Sequence, residues 1–327
     1  MKFNPQKYYI SQIEKFEKSY KLILKNKNPK SLYEPCDYIV QSGGKRLRPF
    51  LVILSAKAVG AKETSVQNAA MAVELFHNFT LVHDDIMDNA NKRRGRETLH
   101  VKYDINTAIL AGDNLLAIAY QRLLLDSKKY GISAVEDFTN GLIEVCEGQS
   151  LDKDFEIRKK VTLEEYIEMI GKKTAALAEI CCSIGAKLGG GSKSEITALR
   201  KYGKYLGLAF QIQDDLLDIM ADEAELGKKI GGDLLEGKKT YLLLRALEKS
   251  KGDDRKLIQF VIDNSGIRKN QIQIYKKLYN KLGVIDDASN EVKKYTNLAL
   301  KSLRNIKNEE AKITLEWLAN SLTDRKK

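Results

Sequence analysis

The chain has 327 residues, 43% hydrophobic and 30% charged, which is enough apolar content for a sizeable core and too much for a disordered chain. Only four prolines occur, at positions 5, 29, 35 and 49. Their scarcity argues against a turn-rich β protein or a string of linked domains and predicts one mostly helical domain over 1–327. The formal charge of +11 raises the question of a polyanionic partner. However, the eight lysines of residues 1–30, set against two glutamates, are spaced like one solvated helix face, and no nucleic-acid motif accompanies them. No nucleic acid is therefore expected.

In chain order, hydrophobic periodicity predicts an amphipathic helix over 8–25 and an almost wholly apolar, buried one over 50–59. A long helix over 65–90 follows, then helices over 105–126, 132–156, 163–188, 194–221 and 238–250, and others to about 322. No strand is needed. Glycine clusters at 189–191, 227 and 231–232 mark breaks, and the Gly/Lys/Asp-rich segment 222–240 reads as a mobile loop. No apolar run approaches the roughly 18 residues of a membrane span, so no stable membrane insertion is expected. The N-terminus carries no apolar signal region. Cys36, Cys146, Cys181 and Cys182 form no metal-ligand spacing, which predicts a reduced, cytoplasmic chain.

Three signals carry chemistry. Asp84-Asp85-Ile86-Met87-Asp88 places Asp84 and Asp88 one turn apart on one helix face, with Asp85 beside it. Like charges so spaced destabilise a helix and raise each other's pKa, and a cation removes both problems. Oxygen ligands without Cys or a well-placed His suit Mg²⁺. The pattern recurs as Asp214-Asp215-Leu216-Leu217-Asp218, again in an apolar helix, where an unpaired acidic face is costly. Six carboxylates make sense with several divalent cations and an anionic ligand between them. The third signal is a set of basic groups: Lys45, Arg46 and Arg48; Arg93 and Arg94; Lys172 and Lys173; Lys228, Lys238 and Lys239. Together with Mg²⁺ they are the parts needed to hold diphosphates. No GxxxxGK[ST] or GxGxxG is present, so a nucleotide fold is not indicated. His77 has the position to donate to a phosphate, whereas His83 reads equally as a structural or a functional residue.

GGKRLRP at 43–49, ELFHNFTLVHDDIMD with RRG at 74–95, KT at 173–174, FQIQDDLLD at 210–218 and GKKIGGDLLEGKKT at 227–240 resemble the trans-isoprenyl diphosphate synthases in order and spacing. The resemblance covers essentially the whole chain. It implies an all-α bundle around a deep central cavity, working as a homodimer on an allylic diphosphate and isopentenyl diphosphate. By that resemblance Asp84 and Asp88 bind two of three Mg²⁺ ions and Asp214 the third, supported by Asp85, Asp215 and Asp218. Arg93, Lys173 and Lys238 hold the allylic diphosphate. Lys45, Arg48, His77 and Arg94 hold isopentenyl diphosphate. Thr174 and Gln211 point oxygen dipoles at the developing allylic cation, and Lys228 closes the loop over the leaving group.

Product length in such enzymes follows cavity depth. Phe79, five residues before Asp84, and Thr80, four before, resemble the short-chain members, with Phe76 a second floor or plain core. DDIMD lacks the two-residue insertion of many bacterial farnesyl diphosphate synthases, which keeps C20 open beside C15. Two other readings compete. A terpene cyclase of the same fold would carry a different second metal motif and no GGKRLRP. A silent regulatory subunit would have lost part of the aspartate or basic set, and none is lost here.

Overall fold

The computed structural model describes residues 3–128, 132–220 and 231–323. These are almost entirely helical, as the periodicity predicts. The chain divides into two compact units. The first comprises residues 1–138, 181–199 and 306–315, and the second residues 139–180, 200–305 and 316–327.

In the first unit, α1 (Pro5–Tyr20) starts at Asn4, whose side chain accepts from the Lys7 amide, with Pro5 at the first helical position. It buries Phe16 and Tyr20, one turn apart. α2 (Lys30–Val40) lies outside the helices that periodicity predicts, and two prolines, which ordinarily interrupt helices, fall at its start and inside it. Pro29 precedes the helix, and Pro35 is buried within it. α3 (Leu47–Ala58) is the expected buried helix, with nine of its twelve residues buried. α4 (Gln67–Met87) packs along α6; it is a few residues shorter than predicted, whereas α6 matches its predicted bounds to within one residue. Between them the chain forms a short hairpin where no strand was expected: β1 (Lys92–Arg93) pairs antiparallel with β2 (Arg96–Glu97). Its turn residues Arg94 and Gly95 both have positive φ, 53° and 77°, as a type I′ turn requires. Two strands of two residues are too short for any periodicity to reveal. α5 (Leu99–Lys102) follows.

α6 (Ile105–Ser127) is capped by Asp104, which accepts from the Thr107 amide at 2.9 Å. Its length and mean hydropathy suffice for a membrane crossing, although its apolar run is not unbroken. Asp113 and Arg122 interrupt it, and Ala108, Ala111, Leu115, Ala119 and Leu123 are fully buried in the unit.

The second unit takes most of α7 (Ser133–Ile157). The helix expected over 163–188 is three pieces: α8 (Leu163–Ile170), which Thr162 and Glu165 cap reciprocally, a π-helical turn over Gly171–Ala175, and α9 (Ala176–Leu188). α10 (Lys193–Met220) carries the second aspartate motif near its end. Beyond it lie α11 (Gly232–Leu235), α12 (Tyr241–Lys249), α13 (Gly252–Asp263), α14 (Ile272–Lys281), α15 (Val284–Ser302) and α16 (Glu309–Thr323). The core of this unit gathers Tyr166, Leu208, Ile212, Leu243, Tyr275 and Tyr279. Of the expected mobile segment 222–240, residues 222–230 lie outside the described residues, and 231–240 hold α11 and a turn.

Candidate active site

Both aspartate motifs occupy the last turns of long helices. Asp88 is the C-cap of α4, and its amide bonds the Asp84 carbonyl at 2.9 Å. Asp214, Asp215 and Asp218 lie in the last two turns of α10. A helix C-terminus carries partial negative charge, so each carboxylate placed there costs about 0.3–1 kcal/mol and a cation is favoured instead. The motifs are therefore uncomfortable without positive charge nearby.

In the first unit that charge surrounds α4. Asp85 is buried and accepts from Arg93 Nε at 2.7 Å, while burial raises its pKa. Asp84 is half-buried and Asp88 exposed. Arg93 and Arg94 sit at the tip of the β1–β2 hairpin. Arg94 donates to the Gly43 carbonyl, which ties the hairpin to the basic turn before α3. Arg48 Nη1 lies 3.1 Å from His77 Nε2. A guanidinium only donates, so Nε2 accepts and the ring proton sits on Nδ1. Burial, then the charges of Arg48, Arg94 and Arg93, push the His77 pKa well down and keep the ring neutral. Lys45 is exposed. Asp85, Arg93 and Arg94 line a cleft with Tyr38, Asn78 and Leu81.

Arg46 departs from the sequence reading, which counted it with the phosphate-binding groups. Its side chain is wholly inaccessible and pairs with Glu17 and with Glu74, the latter at 2.6 Å. Phe76 is fully buried, with ring centroids 5.1 Å from Phe138 and 6.3 Å from Phe79. Phe79 also faces His83 at 4.6 Å. The Thr80 hydroxyl donates to the His77 carbonyl at 2.8 Å. His83 Nε2 is 3.6 Å from Asp113 Oδ1 on α6.

In the second unit a single hydrogen-bonded chain organises the motif. Thr174 Oγ1 donates to Gln211 Oε1 at 2.9 Å, and Gln211 Nε2 donates to Asp215 Oδ1 at 3.1 Å. Asp215 Oδ2 accepts from the Tyr166 hydroxyl and from the Tyr241 amide. Burial pushes the Asp215 pKa up to about 6 against these bonds. Asp218 accepts from the Gly232 and Asp233 amides at 3.1 and 3.2 Å, at the start of α11. Asp214 is exposed. The π turn supplies Lys173 and Thr174. Two glycines let neighbouring helices close on it: a Cβ on Gly148 of α7 would lie 2.2 Å from the Lys173 nitrogen, and one on Gly207 of α10 would lie 2.5 Å from Ala175 Cα. Lys173 donates to Asp152. Lys238 pairs with Glu236 at 2.8 Å. Lys228 lies outside the described residues.

Sequence reasoning missed Asp233, Tyr166 and Asp152. Asp233 is the clearest of these: burial and the charges of Asp218 and Asp215 push its pKa up to about 8. An acid directly after Gly231-Gly232, downstream of an aspartate motif, was the available signal. Tyr166 and Asp152 left none, because each acts through a tertiary contact.

The donor chemistry fits a divalent cation. All six are carboxylates near negative helix ends, and protein donors engage Asp85, Asp215 and Asp218. Among the described residues no three His, Cys, Asp or Glu side chains are grouped to enclose an ion. A hard cation held by one or two carboxylates keeps positions for other oxygens, as Mg²⁺ commonly does.

Residues 29–282 match the polyprenyl synthetase family model. The chain belongs to the polyprenyl synthetase family. Like other polyprenyl synthetases it is a prenyltransferase of the all-α isoprenoid synthase fold. It is 38% identical over 298 residues to the short chain isoprenyl diphosphate synthase of Methanothermobacter thermautotrophicus, covering 91% of each chain. The geranylgeranyl pyrophosphate synthetase from Pyrococcus horikoshii superposes with a TM-score of 0.92 at 35% identity over 98% of each chain. A polyprenyl synthase from Caulobacter crescentus, complexed with calcium and isoprenyl diphosphate, superposes at 0.88 with 27% identity over 100% of this chain and 99% of its own.

Proposed function

We propose that this prenyltransferase joins isopentenyl diphosphate to an allylic diphosphate and stops at geranylgeranyl diphosphate (C20), with farnesyl diphosphate (C15) as the shorter alternative. The carrying observation is that both aspartate motifs end long helices, the first beside the Arg93 guanidinium and the second joined through Gln211 and Thr174 to the turn that bears Lys173, which suits ligands that are themselves polyanions. Asp84 and Asp88 would hold two Mg²⁺ ions and Asp214 a third. Bound there, the ions would neutralise the charge that develops on a leaving diphosphate.

The chain's own residues do the rest. Arg93 binds the allylic diphosphate and stabilises it as it departs, and Lys173 and Lys238 take the same assignment from the family resemblance. Lys45, Arg48, Arg94 and the Nδ1–H of His77 bind isopentenyl diphosphate. The hydrogen of the Thr174 hydroxyl is committed to Gln211. Its remaining oxygen lone pairs then suit a developing cation. The allylic C–O bond breaks, the double bond of isopentenyl diphosphate attacks C1, and the proton lost goes to the released diphosphate. No protein nucleophile is required. Phe79 floors the chain, with Phe76 packed behind it. The exposed apolar residues Ile105, Ile109, Leu110 and Leu125 of α6 support a homodimer built on that helix. Three of the four cysteines are buried as plain core thiols, which suits the reducing interior of a cell.

The test is chromatography of products formed from labelled isopentenyl diphosphate with dimethylallyl, geranyl or farnesyl diphosphate. Accumulation of C20 from all three primers is expected. A product distribution reaching C30 or beyond would overturn the short-chain reading.

A further inference from the structure

Arg46 stands inside the basic turn yet takes none of the ligand-binding roles above. Its guanidinium is inaccessible to any ligand, with a side-chain exposure of 0%. Nε donates to Glu17 on α1, Nη1 to Glu74 on α4 at 2.6 Å, and Nη2 to the Val40 carbonyl at the end of α2 at 3.2 Å. The guanidinium carbon lies 5.0 Å from the centre of the Tyr20 ring. The Tyr20 hydroxyl in turn accepts from Asn78 at 2.6 Å. One side chain thus fastens three helices to a turn. Its own backbone is left-handed, with φ 48° and ψ 38°, a conformation a non-glycine residue keeps only when its surroundings impose it.

We propose that Arg46 is a positioning residue for the isopentenyl diphosphate site, acting through the Glu17–Arg46–Glu74 cluster to set Lys45 and Arg48 beside His77. Lys45 precedes it directly, and Arg48 follows two residues later. Glu74 is three residues before His77, on the same face of α4. The pairing that holds the turn therefore also fixes the distance over which Arg48 reaches His77. The backbone on the other side is held as well: the Tyr9 hydroxyl donates to the Lys45 carbonyl, and Arg94 to that of Gly43. An ammonium on a flexible stem cannot reproduce three directed bonds to three helices. With the fork lost, the turn relaxes, and the groups it presents lose their common aim.

This inference rests on the reading of Lys45, Arg48, His77 and Arg94 as the isopentenyl diphosphate site. The experiment compares wild type, Arg46→Lys and Glu17→Gln in steady-state kinetics, varying each substrate separately, with thermal unfolding of each protein. Arg46→Lys should raise KM for isopentenyl diphosphate about tenfold or more, with kcat and the allylic KM within about twofold of wild type. Glu17→Gln, at the more exposed end of the cluster, keeps a neutral acceptor and should move the same KM in the same direction by less. If a folded Arg46→Lys or Glu17→Gln protein keeps both KM values while only Tm falls, Arg46 is a stabilising residue and nothing more. If Arg46→Lys does not fold, an unchanged KM in Glu17→Gln overturns the proposal alone. A wild type that never consumes isopentenyl diphosphate would instead sink the assignment of the site.

Discussion

Asp84 and Asp85 are neighbours in sequence and opposites in setting. Asp85 is buried against Arg93, whereas Asp84 is half-buried and Asp88, one turn on, is exposed. Asp84→Ala should therefore lower kcat by at least about 10³-fold, because the charge it helps neutralise develops mainly in the transition state. Asp85→Asn should cost less in kcat and more in stability, since it weakens a buried pair. Equal kcat losses from the two substitutions would contradict the division. His77 gives a pH signature. Its folded pKa is depressed, so below the ordinary value of about 6.5 the unfolded chain takes up a proton that the folded one refuses. That contribution is complete above this pH and is lost as pH falls toward the folded pKa. Relative to wild type, His77→Asn should flatten the fall in urea stability between about pH 7 and 5 by up to ~1.4 kcal/mol per pH unit. Parallel pH profiles would show that the imidazole charges in place. Such settings could not be read from sequence. The spacing of the two motifs puts carboxylates on a face, but which of them meets Arg93 or Tyr166 depends on where the chain returns.

The π turn at 171–175 shows how an element departs from its own periodicity. Residues 163–188 keep a helical repeat, and nothing in it marks the widened turn. Gly148 and Gly207, distant in sequence, make room for it. Gly148→Ala should push α7 off Lys173. We expect overpacking of about 1–3 kcal/mol, read as a fall in Tm, and a larger fall in kcat than in substrate affinity as Thr174 leaves Gln211. Wild-type kcat in that variant would separate the turn from catalysis. Phe79 belongs to this scale too, because its effect depends on the axis of α4. It stands five residues before Asp84, a rise of roughly 7.5 Å. Phe79→Ala should lengthen the product by one or more five-carbon units, seen by chromatography at fixed substrate ratios. An unchanged distribution from a folded, active variant would pass the role to Phe76. The helices themselves were readable because apolar residues recur at helical spacing. α2 and the β1–β2 hairpin were not. Prolines fall at the start of the first and inside it, and the second is shorter than any repeat.

For the whole molecule, the order of motifs along the chain points by itself to one chemistry. What the structure adds is the setting of each motif: two helix ends loaded with carboxylates, each accompanied in its own unit by groups suited to phosphate. The homodimer expected from α6 should appear in sedimentation as a species of twice the chain mass, and Leu110→Lys should shift it toward monomer. The central claim is divalent-metal-dependent condensation of two diphosphates, and diphosphate release tests it most directly. Release should require an allylic diphosphate, isopentenyl diphosphate and Mg²⁺ together, and should fall to background when any one is omitted or chelator is in excess. Full release from the allylic substrate alone, or undiminished release in chelator, would contradict it.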